Sequence, residues 1–434
     1  MDDSASIALP PSTVERWRAR TKRVRWQMPT FDSATAPARP WPEGGRRQAT
    51  ARAFDQFVVK LHSRCNLACD YCYVYELRDS GWRDRPRVMS AATLDSLVRR
   101  IAEHARRHGL STVRVILHGG EPLLAGVGVI SRLAEATREA MRGAGATAQL
   151  VIQSNGLLLD RPLLDELARH DIGVGLSLDG DRAAQDRHRR RADGRGSHAD
   201  VLRALELLHR PEYQRLFEGL LCTVDLANDP AATCRALADH RPPMADLLLP
   251  HGTWDHPPPG HVAGEARYGA WLSAAFDRWW ADGRPFRLRL FDAITDLLLA
   301  GSSGSEVVGL LAADAVVIET DGSIEWADSL KAVADGAAAT GLNVREHSFD
   351  AVLALPRRPV SGIESLCRTC RACPVGRVCG GGLRAHRYGR HRGFDNPSVY
   401  CLDLALLISH IRHRLADTVS DTPSVPLDPS ISFG

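Results

Sequence analysis

The stretch "KLHSRCNLACDYCYVYE", Lys60 to Glu76, places three thiols at Cys65, Cys69 and Cys72, with gaps of three and two residues. Three is an awkward number for sulfur. Disulfides consume thiols in pairs, and closed zinc sites and iron–sulfur cubanes take four ligands. A three-thiolate site leaves one metal position open for another occupant. The triplet directly follows the β-type run "FDQFVVKLH" at 54–62, so it sits at the carboxyl end of a strand.

Downstream of that strand, helical and strand patterns alternate with short connections. "AATLDSLVRRIAEHARRHG" has helical spacing and ends at Gly109, and "TVRVILHGG" is strand-like. Helix from about Val129 to Arg142 follows, then "AQLVIQS", "RPLLDELARH", "IGVGLSLDG", "ADVLRALELLHR", "FEGLLCTVD", "PAATCRALADH" and "ADLLLPHG". Six such repeats predict parallel strands with right-handed helical crossovers, their apolar runs suiting strands buried on both faces. Polar, Gly-rich residues recur at the strand ends, at Cys65, "HGGEP", "QSNG", "SLDG" and "HGTW". Their convergence on one mouth favours a part-barrel over an open Rossmann sheet. The expected fold class is α/β, a partial (β/α)6 TIM-like barrel followed by a smaller α+β domain. The expected boundaries are an extension over 1–50, with a short helix around Val14 to Arg25, the barrel over 51–295, the second domain over 296–412, and a disordered tail over 413–434. A long aromatic helix is expected from Tyr268 to about Gly283.

Composition narrows the function. Hydrophobic residues make up 44% and charged residues 25% of 434 residues, the balance of a soluble globular protein. A net charge of +3 is too small to argue for a nucleic-acid partner. No secretory signal or membrane-length run is present, so the chain reads as cytoplasmic, where clustered Cys suggest metal rather than disulfides. Of ten Cys, Cys367, Cys370, Cys373 and Cys379 form a second cluster, with Cys401 beyond it. Cys222, in "GLLCTVD", reads as a small buried hydrophobe.

The other strand ends suit an amino-acid-like ligand. Glu121 can accept from an ammonium, and Gly119 and Gly120 allow close backbone approach. Arg189 can fork onto a carboxylate, and Ser177 can donate to one. Ser154 and Asn155 suit sugar hydroxyls, and Tyr71 suits packing near a base. The residues alone leave open a zinc site of His62, Cys65, Cys69 and Cys72, and a zinc ribbon at the second cluster.

"CNLACDYC" with "GGEP" resembles the radical S-adenosylmethionine (radical SAM) superfamily over roughly residues 54–250. The resemblance implies a 4Fe–4S cluster on Cys65, Cys69 and Cys72, whose free iron is chelated by S-adenosylmethionine. It also implies one-electron reduction by a donor such as flavodoxin or ferredoxin, which yields a 5′-deoxyadenosyl radical that abstracts hydrogen. The second cluster resembles a SPASM domain, which implies that Cys370, Cys373, Cys379 and Cys401 hold one auxiliary 4Fe–4S cluster. Leu383 and Ala327 stand where that pattern expects Cys, so the other auxiliary cluster is expected to be lost, and Cys367 is spare. Asp328, beside Ala327, occupies the place of an Asp that acts as a base in related sulfatase maturases, which makes it a candidate general base.

Longer segments, "LLPHGTWDHPPPG", "ETDGSIEWADSLK" and "CPVGRVCGGGLRAHRYGRHRGFDNPSVYC", resemble the FxsB family. That implies a ribosomal precursor peptide, leader plus core, as partner, and a crosslink from an aromatic ring carbon to a nearby Cβ (a three-residue cyclophane). The alternatives are another radical maturase, making formylglycine or a thioether, and a metal-stabilised peptide-binding protein without catalysis.

Overall fold

Strand β2, Thr112–Gly119, shows the rule that builds the molecule: its residues alternate strictly between buried and half-buried. Val113, Val115 and Leu117 point outward onto helices and are fully buried, while Arg114 and His118 share the opposite face with Ile116. The computed structural model describes residues 52–420, apart from 300, 304, 312–313 and 357–361. The helix expected at Val14 to Arg25 and the residues after 420 lie outside that range.

The expected strands are all present as β1 Gln56–His62, β2, β3 Thr147–Ser154, β4 Ile172–Ser177, β5 Phe217–Thr223 and β6 Met244–Leu248. Helices α1 Ala91–His108, α2 Val127–Ala144, α3 Arg161–Arg169, α4 Arg182–His188, α5 His198–Leu208 and α6 Pro230–Ala238 lie between them. Local chemistry sets the helix starts. Ser90, Asp160, Asp181 and Asp229 each accept from a first-turn backbone N–H, and proline follows early in two of those helices. Helix α1 turns Leu94, Leu97, Val98 and Ile101 onto the strands, each burial contributing roughly 1.5–3 kcal/mol.

One expectation is corrected. The strands are not apolar on both faces: Lys60 lies beside His118 in the β1–β2 register, and Gln153 donates to Ser177 across β3 and β4. Their inner face looks into a barrel mouth that holds polar chemistry. The α+β region expected from 296 shares its strands with the sheet of the barrel. After α7 Arg267–Ala281, β7 Arg287–Leu288 and α8 Arg289–Leu298, strand β8 Ala315–Ile318 pairs in parallel with β1, on the side away from β2. Antiparallel β9 Ser323–Glu325 and β10 Ala339–Asn343 follow, giving one ten-stranded, mainly parallel sheet, β10-β9-β8-β1-β2-β3-β4-β5-β6-β7. Short helices α9 Phe349–Leu353, α10 Arg368–Arg371 and α11 Gly376–Cys379 precede α12 Cys401–Ser420. Helix α12 therefore continues through part of the expected tail. It packs on α7 where Gly269 lacks a side chain, since a Cβ there would lie 2.6 Å from the Asp403 carbonyl oxygen. Among the described residues no helix is long and apolar enough to cross a membrane.

A buried histidine ties α1 to α9. His104 Nε2 accepts the Phe54 N–H at 3.0 Å, and Nδ1 faces Asp350 Oδ1 at 3.4 Å, beside His108. These three side chains are close enough for one ion. However, the Phe54 N–H occupies the Nε2 lone pair, which leaves the ring proton on Nδ1 and no lone pair there for a metal. Burial, aided by His108, pushes the His104 pKa down to about 4. Its folded value thus lies below its unfolded value. Its stabilisation is complete above pH 6.5 and is lost as pH falls toward 4, by at most about 3 kcal/mol. The stability difference between wild type and His104→Leu, from urea unfolding, is expected to shrink over that pH window. A constant difference would refute this.

Candidate functional site

The cysteine loop is held by backbone contact with the end of β2. The Gly120 N–H donates to the His62 carbonyl at 2.9 Å and the Glu121 N–H to the Arg64 carbonyl at 3.0 Å. A Cβ at Gly119 would lie 2.3 Å from the His62 oxygen, and one at Gly120 would lie 1.9 Å from the Tyr75 hydroxyl. The close approach expected of these glycines is therefore met by the cysteine loop itself. Glu121 is 1% exposed; it accepts from Leu123 N–H at 3.1 Å, Ser154 Oγ at 2.9 Å and Asn155 N–H at 2.8 Å. Burial pushes its pKa up to about 7. Asn155 Nδ2 continues the brace, donating to Asn66 Oδ1 at 2.8 Å and Cys65 Sγ at 3.6 Å. Glu121, Ser154 and Asn155, expected to face a ligand, thus also lock β2, β3 and the loop together.

A second brace crosses the mouth. Tyr71 donates its hydroxyl to Asp179 and accepts from Arg189 Nη1 at 2.9 Å. Burial, partly offset by Arg189, pushes the Tyr71 phenol well up, so it stays neutral. Asp179 is fixed in turn by the Thr223 N–H at 2.9 Å. Arg189 Nε is buried with no hydrogen-bond partner. Tyr71 is engaged by polar groups, and Ser177 Oγ accepts from Gln153 at 3.2 Å. Asp179, Asn66 and Gln153 went unnoticed in the sequence reading.

The thiols suit a metal cluster better than a single ion. Cys65 Sγ accepts the Leu67 N–H at 3.4 Å, and Cys72 accepts from Val74 and Tyr75, contacts that favour thiolate. Without a cation, burial pushes Cys65 to about 12 and Cys69 to about 11. Zinc at about 2.3 Å from tetrahedral sulfurs needs them roughly 3.8 Å apart. Among the described residues, the groups whose ligand atoms lie within 4.8 Å of one another contain no cysteine. His62 Nδ1 lies 3.0 Å from the Arg64 carbonyl and 3.1 Å from the Arg64 nitrogen, so its ring is anchored to the loop backbone. The orphaned Arg189 Nε fits an anionic group beside the thiols.

Asp328 lies at the centre of a buried charge network. Lys60 and Lys331 pair with its two oxygens, Lys331 at 3.2 Å, and Tyr73 donates to Oδ2 at 3.3 Å. Burial alone would raise its pKa, but the two ammonium groups hold it far below the usual carboxylate range. Lys331 also meets Glu319 and Glu325. Taking up a proton on Asp328 would weaken both ion pairs, which makes it a feeble base as it stands. Beside this network lies a cavity of about 340 Å³, lined by Glu76, Leu77, Arg78, His251, His256 and Ala332.

The second cysteine group forms around α10, α11 and the start of α12. Cys367 hydrogen-bonds with Cys370, so one of the pair ionises more easily and the other less. Burial pushes Cys379 to about 12 and Cys401 to about 11, with Cys373 contributing to both. The spare Cys367 thus joins the four expected ligands. Gly380, Gly381 and Gly382 are all left-handed, with φ of 63°, 82° and 70°, and carry the chain away from Cys379. Arg387 is 8% exposed, has an unpartnered Nε, and feels Cys370, Cys379 and Cys367. A buried guanidinium with only thiols for counter-charge fits an anionic cluster there.

The Radical SAM superfamily model matches residues 59–213. The serine-type anaerobic sulfatase-maturating enzyme of Klebsiella aerogenes is 30% identical over 347 residues, 77% of this chain and 80% of that relative. The solved structure of native anSMEcpe with bound AdoMet and Cp18Cys peptide superposes with a TM-score of 0.70 at 22% identity, covering 84% of this chain and 98% of that one. Streptococcus suis SuiB bound to precursor peptide SuiA gives 0.51 at 15% identity, covering 89% and 80%.

The loop contact can be tested directly. Gly120→Ala is expected to displace the cysteine loop and lower iron per chain after anaerobic reconstitution. Gly128→Ala, with nothing within 4 Å of its Cβ, should leave iron unchanged and stabilise by up to about 1 kcal/mol. Equal iron in Gly120→Ala and wild type would refute the contact's role.

Proposed function

Because this chain belongs to the radical SAM superfamily, as a relative of the anaerobic sulfatase-maturating enzymes, we propose that it matures a ribosomally made precursor peptide by joining an aromatic ring carbon to a nearby Cβ. Cys65, Cys69 and Cys72 would hold the 4Fe–4S cluster, and four of the five C-terminal thiols would hold one auxiliary 4Fe–4S cluster. When bound, the first cluster and S-adenosylmethionine, reduced by a flavodoxin or ferredoxin, supply the 5′-deoxyadenosyl radical that removes a substrate hydrogen.

The protein's own groups do the rest. Arg189 offers its buried Nε to the carboxylate of S-adenosylmethionine, steadied by Tyr71 and Asp179. Glu121, Ser154 and Asn155 keep the cysteine loop in register with β2 and β3. Lys60 and Lys331 hold Asp328 ionised beside the cavity, where the peptide would enter.

The cysteine inventory carries the crosslinking reading. By the SPASM resemblance, Ala327 and Leu383 stand where a second auxiliary cluster would draw ligands, and Cys367, Cys370, Cys373, Cys379 and Cys401 would supply one site. The second reading, oxidation of a peptide Ser or Cys to formylglycine, is favoured by 30% identity across 80% of a serine-type sulfatase-maturating enzyme.

The test pairs two synthetic peptides: one carrying an aromatic residue with a crosslinkable residue two positions on, and a sulfatase peptide carrying Ser or Cys. A crosslink and a Ser-derived aldehyde both lose two hydrogens, so mass alone does not separate them. Trapping with a hydrazine marks the aldehyde, and fragmentation locates a crosslink. Crosslinked product from the first peptide is the expected outcome, and a hydrazone on the second would establish the other reading. Reconstituted wild type should hold about eight irons, from two cubanes. Replacing Cys65, Cys69 and Cys72 with Ala should leave about four and abolish S-adenosylmethionine cleavage. Zinc without iron in the wild type would overturn both readings.

A further inference from the structure

We propose that His251 is the general base that takes the proton the substrate sheds after radical formation. The inference rests on the crosslinking reading. In the crosslink, the substrate carbon radical bonds to a ring carbon. That ring carbon then loses its hydrogen as a proton, and one electron passes to an oxidised iron–sulfur cluster, which restores aromaticity. The step sends one proton to a base and one electron to an oxidant.

His251 follows β6 at the barrel mouth and lines the 340 Å³ cavity together with Glu76, Leu77 and Arg78. It makes no hydrogen bond among the described residues, and its Nδ1 is buried without a partner. His386, with ring centroids 5.6 Å away, has a buried and unpartnered Nε2. A buried polar atom left without a partner costs free energy, and of the two imidazoles His251 is the one that lines the cavity. Burial keeps both imidazoles neutral, His251 near pKa 4, so each retains a lone pair.

The surroundings favour His251 over Asp328. Tyr73 packs edge-on against His251 at 4.8 Å and donates its hydroxyl to Asp328 at 3.3 Å. Asp328 sits between Lys60 and Lys331, and a proton placed there would weaken both pairs. A proton placed on His251 is instead attracted by the Asp328 charge, which already pulls the imidazole's pKa upward against burial. His386 is neutral, so it does not repel the imidazolium. Asp328 then acts as the counter-charge, a positioning role, while His251 is the imidazole that lines the cavity.

His251→Ala and His251→Gln are compared with wild type, using the peptide that the wild type modifies. 5′-Deoxyadenosine and modified peptide are counted separately, and affinity for fluorescently labelled peptide is measured without S-adenosylmethionine. Both variants are expected to keep nucleoside formation within a factor of two, and peptide affinity should fall by no more than the loss of one hydrogen bond, about ten-fold. Product per nucleoside should fall about a hundred-fold or more, the usual contribution of a positioned base. Added imidazole should restore His251→Ala, because the cavity left by the ring admits it, and should not restore His251→Gln. Unchanged coupling, a loss of peptide affinity as large as the loss of product, or loss without rescue would each overturn the inference. If the wild type modifies no peptide, the maturase reading itself fails.

Discussion

The approach of two peptide backbones, Gly119–Glu121 against His62–Arg64, is the contact from which the site is built. Two hydrogen bonds of 2.9 and 3.0 Å bring the end of β2 onto the start of the cysteine loop, and no side chain fits between them. With the backbones that close, Glu121 is forced inside. It can remain there only because three donors reach its carboxylate. Those donors come from just beyond β2 and from the end of β3, so satisfying one buried acid also fixes the relative height of two strands and the cysteine loop.

A similar economy governs the charges deeper in the mouth. Lys60 projects from β1, a strand whose alternate residues Phe57, Val59 and Leu61 are fully buried. An ammonium in that position needs a carboxylate, and Asp328 provides it from beyond β9. Lys331, Glu319, Glu325 and Arg85 extend the pairing until charge is nearly balanced. Breaking such a buried pair typically costs 3–5 kcal/mol. The network therefore holds the two halves of the sheet together, and Asp328 serves that purpose whatever else it does.

Much of this was legible in the sequence, because it is written in short range. Alternation and spacing gave β1 to β6 and the crossover helices, and the intervals between Cys65, Cys69 and Cys72 marked the cysteine loop that meets the end of β2. Long-range pairings left no such mark. Nothing in "AVVI" at 315–318 announces that it will lie against "QFVV" at 56–59, yet that pairing unites the two expected domains. The roles of Gly119 and Gly120 depend on a backbone met from another strand. The restraint on Asp328 depends on Lys60, which is far away in the chain. His251 was quoted within "LLPHGTWDHPPPG" but not singled out, because an imidazole becomes chemically informative only once its lack of partners is seen.

The pairing of β8 with β1 also bears on how the protein is made. Synthesis proceeds from the amino terminus, so β1 and its cysteine loop leave the ribosome long before β8 exists. Until then β1 is an edge strand, apolar and open to the wrong neighbour. Folding of the amino-terminal half would remain provisional until Ile318 has emerged. A chaperone or an early-delivered iron–sulfur cluster acting on the nascent chain would meet a loop whose supporting strand is half paired. Truncation before β8 would fix the chain in that vulnerable state rather than release a self-sufficient domain.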